Sequence, residues 1–370
     1  MEEKFELNAE DLELESATFL ESARRSRAIW EDLPLNPGNY RVLTGERPTG
    51  ALHIGHLFGT VANRVRIQAL GATTFIVIAD YQVLTDRDTA EAVGTNVHEV
   101  ILDYLASGLD PENGRTFLFS HSHVPELNQL LLPFMSLVTT TELDRNPTVK
   151  EEIRAAGLRQ VNALMYTYPI HQAADILFCR GNVVPVGRDQ LPHLELTRKI
   201  ARRFNQRFSP DSPIFPVPDA LLSDLPVVLG TDGQKMSKSR NNSIMLKMTA
   251  DQTAKAIKSA KTDGDRNITY DPQNRPEVAN LLRLAAICSG DTPEVIAERI
   301  GDGGGGKLKS LLVDLLNAHL APIRERRAEY AADPSYVTDV LRRGVAKARE
   351  EAIQSLKLVR RAMNMDHQIE

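Results

Sequence analysis

Two histidines three residues apart, His53 and His56, sit in the stretch GERPTGALHIGHL, Gly45 to Leu57, where an apolar run gives way to a helical pattern. On a helix that spacing sets both imidazoles on one face of the first turn, with their N–H donors aimed at one place. Anions suit such a place, because a helix start already presents backbone N–H groups and the positive end of its dipole. No third metal ligand is close in sequence, so the pattern reads as phosphate handling and not as a metal centre. Gly45 and Gly50 give the turn its freedom, and Gly55, lacking Cβ, allows a flat base to lie against the helix. Far downstream, Gln234-Lys235-Met236-Ser237-Lys238-Ser239 places two lysines in a polar, glycine-flanked loop with no local carboxylate to pair them. Alone, each motif also fits a bland reading, a histidine-bearing helix start or a solvated basic loop. Together, in this order, they describe a triphosphate held from two sides.

The elements that must position these side chains are legible as short apolar runs alternating with amphipathic helices. YRVLTG from Tyr40, TTFIVIAD from Thr73, RTFLFSH from Arg115 and NVVPVG from Asn182 are the strand candidates. Strands separated by helices predict a parallel sheet of right-handed βαβ units, with ligands outside the carboxyl ends of the strands. Helices are expected in NVHEVILDYLASGL, PELNQLLLPFMSLV, EEIRAAGLRQVNALM, the QAADILFCR segment and DQLPHLELTRKIARRFNQRF. A proline-rich passage, SPDSPIFPVPDALLSDLPVV, then leads to the lysine loop, and beyond Asn242 the pattern is helix after helix. The expected organisation is an acidic-then-basic extension (1–37), a Rossmann-like α/β nucleotide-binding domain (38–246) and an all-helical domain (247–370).

Composition narrows the class. With 370 residues, 42% hydrophobic and 25% charged, the chain is long enough for about two domains with a sizeable core. Its two cysteines, Cys179 and Cys288, allow neither a disulfide framework nor a Cys-built metal site, and a cytoplasmic setting is the expectation. No apolar run suits a membrane span, and the acidic N-terminus does not read as a signal peptide. A formal net charge of −5 gives no global attraction to nucleic acid, so a polyanion partner must meet local basic patches, and DNA is not expected.

The HIGH and KMSKS elements, in a chain of this layout, resemble class I aminoacyl-tRNA synthetases and, within them, the tryptophanyl enzymes. Tyr168 to Asn205, YPIHQAADILFCRGNVVPVGRDQLPHLELTRKIARRFN, and KSAKTDG, Lys258 to Gly264, carry the similarity, which extends from about Arg41 onward. The resemblance implies a ligase that activates L-tryptophan with ATP, releases pyrophosphate and transfers tryptophanyl to tRNA(Trp), with Mg²⁺ on the phosphates and a homodimeric assembly. It implies catalysis by His53, His56, Lys235 and Lys238. Arg47, Pro48, Thr49, Gly55, His56, Gly187, Arg188, Asp189 and Lys235 through Met236, Ser237, Lys238 and Ser239 would bind ATP, with Asp189 also reading as a helix N-cap. Asp175 would accept the indole N–H, a donor that phenylalanine lacks. Tyr168 and Gln190 would take the ammonium end, and Gly45, Gln82 and Gln172 would line the same pocket.

Three positions depart from the family's common pattern: Arg47 where glutamine is usual, Gln82 where histidine is usual, and Gln172 where methionine is usual. The expectation is an auxiliary form with an altered response to tryptophan-like inhibitors. A tyrosyl enzyme, a small nucleotidyltransferase and a non-catalytic paralogue are the alternatives. GDGGGGKLKS from Gly301 lacks the hydroxyl residue of a phosphate-binding Walker loop, since Leu308 follows Lys307, and is read as a flexible helix connection. His121 and His123, without acidic or cysteine companions in sequence, are read as structural. Arg198 to Arg207, Ile323 to Tyr330 and KLVRRAM near the C-terminus are the basic helices offered for tRNA contact.

Overall fold

Arg41–Glu46 (β1) is the central strand of a five-stranded sheet in the computed structural model, which describes residues 17–85, 90–146, 148–150, 153, 161–222 and 228–367. β1 pairs in parallel with β2 (Thr73–Ile78) on one side and with β4 (Val183–Val186) on the other. β3 (Thr116–Ser120) and β5 (Asp219–Leu222) complete the order β3-β2-β1-β4-β5, every pair parallel. Helices cover both faces, which is why β2 is apolar and buried along nearly its whole length. The chain winds outward from β1 to β3 and then returns to β4, so its direction reverses between β1 and β4. That reversal opens a crevice at the strands' carboxyl ends. The Rossmann-like α/β class read from the sequence is the one observed, and among the described residues no strand of the sheet follows Asn242.

β5 lies inside the proline-rich passage, whose prolines hide the strand by breaking its pattern on both sides. PELNQLLLPFMSLV does not form one helix: it divides into Pro125–Asn128 and Leu131–Met135, because Pro133 has no N–H to offer the carbonyl four residues back. Most of EEIRAAGLRQVNALM lies outside the described residues; its last residues open the helix Ala163–Leu177, which ends in QAADIL. The glycine run after Ile300 is not the expected flexible connection. Gly301–Gly303 makes a tight helical turn, the Gly304 N–H donates to Arg266 O (2.9 Å), and the long helix Gly304–Ala332 starts at once.

Both ends of the chain close on the sheet. The first described helix, Ala17–Asp32, lies along β5: Ser26 Oγ accepts the Leu222 N–H (2.9 Å) and Arg25 pairs with Asp219 (3.1 Å). The last helix, Pro334–Ala362, lies against β3, with Ser355 Oγ donating to Phe178 O (2.6 Å) and Glu351 pairing with Arg41 (2.7 Å). Gly344 is its closest approach, since a Cβ there would lie 1.8 Å from Leu118 O.

The basic helices are largely spent inside the chain. Arg198 is buried and tied to Pro218 O, Glu195 and Asp219, while Arg203 holds Glu142. Arg326 Nε donates to Ala106 O (2.7 Å), and Arg327 pairs with Asp103 (2.7 Å) and Glu99 (2.8 Å) on the helix Val93–Ala106. Arg360 donates to Gln129 (2.9 Å). Gly344→Ala should destabilise the protein by about 1–3 kcal/mol, the ordinary effect of overpacking a tight contact, read as a lower denaturant midpoint with unchanged slope. An unchanged midpoint would show that the last helix does not bear on β3.

Candidate active site

β1 ends at Glu46, and the chain turns through Pro48 and Gly50 (φ +125°, open to glycine) into a helical run beginning Ile54–His56. This run continues through a π-helical turn, Leu57–Val61, to Ala69. The two imidazoles stand side by side, ring centroids 3.7 Å apart, and His56 Nδ1 accepts the His53 N–H (3.2 Å). That bond fixes one nitrogen of His56 as acceptor and leaves Nε2 as the donor. Burial depresses both basicities: His53 falls to about 3, with His56 and Lys238 pushing the same way, and His56 falls below its ordinary value despite Glu46. Near neutral pH the pair is therefore uncharged and offers N–H donors without an imidazolium.

The lysine loop is brought to this helix start by backbone pairing. Ile54 N–H donates to Ile244 O (2.9 Å) and Leu246 N–H to Leu52 O (3.0 Å), an antiparallel contact just past the loop. Lys238 Nζ consequently reaches Gly50 O (2.6 Å) and Thr49 Oγ1 (3.3 Å), directly beside the histidines. Lys235 is exposed on the same loop. Its shape comes from Asn242, whose Oδ1 accepts the Ser237 N–H (2.8 Å) and whose Nδ2 donates to Asp232 (2.7 Å) and Lys235 O (3.2 Å). The face of Gly55 is not open as expected for a base: a Cβ there would lie 2.9 Å from the His53 ring and 3.7 Å from Met236 Sδ. A base on Gly55 requires Met236 and its loop to shift.

The crevice between β1 and β4 holds a cavity of about 280 Å³. Gly45, Arg47, Gln82, Tyr168, Gln172, Asp175, Gly187 and Gln190 all line it, eight positions scattered over more than a hundred residues of sequence. Pro48 is buried beneath the turn. Arg188 sits 4.7 Å over the Phe19 ring of the first described helix. The side chains of 189 and 239 lie outside the described residues, so the Asp189 and Ser239 assignments rest on sequence. Tyr168 OH meets His193 Nε2 (2.8 Å), which fixes the phenol at the cavity wall.

Several contributors escaped the sequence reading. Arg64, fully buried, holds the end of β1 through Thr44 Oγ1 (3.0 Å), Gly45 O (3.2 Å) and Tyr104 OH (2.6 Å). It pairs with Glu46 (3.2 Å); burial works to raise Glu46, yet Arg64, His56 and Lys238 hold its carboxyl below the usual range. Asp103, fully buried, accepts the Leu52 N–H (2.5 Å) and pairs with Arg327, joining the long helix to the histidine turn. His121, read from the sequence as structural, stands one residue past β3 with its Nε2 2.8 Å from Asp175 Oδ1. Its acidic companion comes from the helix Ala163–Leu177, so nothing near it in sequence could show it; its place at a strand's carboxyl end could.

A parallel α/β fold with a histidine-bearing helix start, a lysine loop packed on it and a cavity at the switch point has the arrangement of a nucleotide-using enzyme. The family model for class I tRNA synthetases (W and Y) matches residues 36–321. The tryptophan–tRNA ligase of Treponema pallidum is 39% identical over 333 residues, covering 88% of this chain and 97% of that one. That of Thermotoga maritima is 39% identical over 335 residues, covering 88% and 99%. The structure of tryptophanyl-tRNA synthetase from Campylobacter jejuni with ADP and tryptophan superposes with a TM-score of 0.75 at 31% identity, over 88% of this chain and 99% of that one. The chain belongs to the class I tRNA synthetases of the tryptophan and tyrosine branch.

Because the fold favours neutral His53, its contribution to stability is intact above about pH 6.5 and lost as pH falls toward about 3. Denaturant midpoints measured from pH 7 to 4 should therefore fall less steeply for His53→Asn than for the unsubstituted protein. Parallel curves would contradict the buried, uncharged state.

Proposed function

We propose that this chain is a tryptophan–tRNA ligase acting on L-tryptophan, ATP and tRNA(Trp). The observation that carries the reading is a buried carboxylate, Asp175, on the wall of a cavity also lined by Glu46 and by Thr60, whose hydroxyl donates to His56 O (3.0 Å). An indole N–H is a donor only, and a desolvated carboxylate is its strongest acceptor. The ~40% identity to tryptophan–tRNA ligases over most of the chain supports the same choice over a tyrosyl enzyme.

In the first half-reaction the tryptophan carboxylate attacks the α-phosphorus of ATP; the new C–O–P bond forms as the bond to pyrophosphate breaks. In the second, a ribose hydroxyl at the tRNA's 3′ end attacks the activated carbonyl and AMP leaves. No protein nucleophile is needed, so the residues act by orientation and charge stabilisation. Neutral His53 and His56 donate N–H groups to phosphate oxygens. Lys238, with Lys235 brought in by the loop, balances charge gathering on the departing pyrophosphate. Asp175, Tyr168 and Gln190 hold the amino acid, while Gly187, Arg188 and Asp189 take the nucleoside. Mg²⁺ fits as a passenger on the triphosphate: the groups here are imidazoles and ammoniums, and the nearby Glu46 is already paired with Arg64, so phosphate oxygens would hold the ion and it would offset their charge.

The reading includes a cytoplasmic homodimer with three units, 1–37, 38–246 and 247–370. The free thiols Cys179 and Cys288 accord with a reducing compartment, and no helix among the described residues is long and apolar enough to cross a membrane. Leu132 and Met135, exposed on one short helix, offer apolar area for a second copy. It also includes an auxiliary form with altered inhibitor response, supported by Gln82, whose Nε2 is buried without a partner in the cavity, and by Gln172 and Arg47 on the same wall.

Exchange of labelled pyrophosphate into ATP, tested with each amino acid in turn, should depend on tryptophan. Exchange with tyrosine alone, or with none, would overturn the assignment. Asp175→Asn should lower kcat/KM for tryptophan by about tenfold to a hundredfold while leaving KM for ATP nearly unchanged, the loss of a charge-assisted hydrogen bond. Gln82→His should change the inhibition constant of a tryptophan-like inhibitor, and equal constants would remove the auxiliary reading.

A further inference from the structure

Asp175 is a buried carboxylate with no lysine or arginine paired to it among the described contacts. It has two imidazoles instead. His121, fully buried, places Nε2 2.8 Å from Asp175 Oδ1, and His171 packs on the His121 ring with centroids 4.6 Å apart. The approach is short but off the line of an ideal hydrogen bond, and Oδ1 and both His121 ring nitrogens have no aligned partner. His171 is pinned from outside, its Nε2 meeting Asn128 Oδ1 at 2.7 Å, so Nε2 carries the proton and Nδ1 faces inward.

Resting on the tryptophan reading above, we propose that His121 is the residue that fixes tryptophan specificity by orienting Asp175 as the indole acceptor. A buried carboxylate that is free to turn does not hold an oxygen at a fixed point, and only a group on the protein side can hold it in so dry a site. His121 Nε2 is the nearest such group, 2.8 Å from Oδ1, so the other oxygen is left to the substrate. His121 is therefore a positioning residue: it acts through Asp175.

The other groups facing the pair do not take over this task. Asp80 is held by Tyr81 N–H (3.0 Å) and Ser122 N–H (3.1 Å), and by the Ser122 hydroxyl. Tyr81 stacks over His121 at 6.3 Å, ring to ring. His123 engages Ser120 (2.9 Å) and Ser122 (3.1 Å). Burial holds His171 below its ordinary basicity in spite of Asp175, so it stays neutral and its inward Nδ1 accepts. His121, His171 and Asp175 could also be read as a metal-binding trio, since their donor atoms lie within 4.8 Å of one another. The 2.8 Å separation argues against it. Ligands on one ion at the usual ~2.0–2.1 Å bonds stand farther apart than that.

Tryptophan-dependent pyrophosphate exchange by the unsubstituted protein, His121→Leu and His121→Gln tests the proposal. His121→Leu removes the donor; kcat/KM for tryptophan should drop about tenfold to a hundredfold, with KM for ATP unchanged. His121→Gln, which restores an N–H, should recover most of the loss. Equal tryptophan kinetics for all three proteins overturn the proposal, as does a loss in His121→Leu that His121→Gln does not relieve. Should His121→Leu fail to fold, the glutamine protein decides: near-normal tryptophan selection supports the proposal and tenfold loss overturns it. A stoichiometric divalent metal in the purified protein that His121→Leu removes would also overturn it. Absence of tryptophan-dependent exchange in the unsubstituted protein would instead bring down the tryptophan reading, and this proposal with it.

Discussion

The antiparallel contact between Leu52–Ile54 and Ile244–Leu246 is the constraint on which the site depends. It costs no side chain and leaves the chemistry free: two backbone hydrogen bonds bring together segments that no local force would join. Lys238 can reach Gly50 O only because this pairing sets the lysine loop against the helix start, and it also brings Met236 Sδ to 3.7 Å from where a Cβ on Gly55 would lie.

That dependence explains what could be read from the sequence and what could not. The strands β1 to β4 and the long C-terminal helices were legible because local periodicity and burial agree in them. The histidine turn was legible because its residue types are those an anion needs at a helix start. β5 was not, since Pro216 and Pro218 mask a short strand, and PELNQLLLPFMSLV misled because its apolar period ignores the missing N–H of Pro133. In the site, the family resemblance supplied positions such as Tyr168, Gln172 and Asp175 that gather round one cavity. What stayed hidden were the partners contributed by another element: Arg64 for Glu46, Asn242 for the lysine loop and His121 for Asp175. Such pairs exist only in three dimensions, and each half looks ordinary in its own neighbourhood.

Buried charge is distributed with a consistent logic. Glu46, Arg64 and Tyr104 form one group behind β1, in which Glu46 Oε2 is left without a hydrogen-bond partner, and Asp103 with Arg327 and Glu99 forms another beneath the histidine turn. Both are costly to desolvate and costly to break, so they serve register more than net stability. Asp103 is the more telling, since one carboxylate holds the backbone beside His53 and a guanidinium on the helix Gly304–Ala332 at once. Two hydrogen bonds thus tie that helix to the histidine turn.

An open parallel sheet ordinarily has two raw rims, each a row of backbone groups that invites a foreign strand. Here the first and last described helices occupy those rims, with Ser26 accepting from Leu222 on one and Gly344 pressed to the backbone of Leu118 on the other. These two helices thus act as selvedges, and a chain stripped of either would be prone to fuse edge to edge with its neighbours long before its interior came apart.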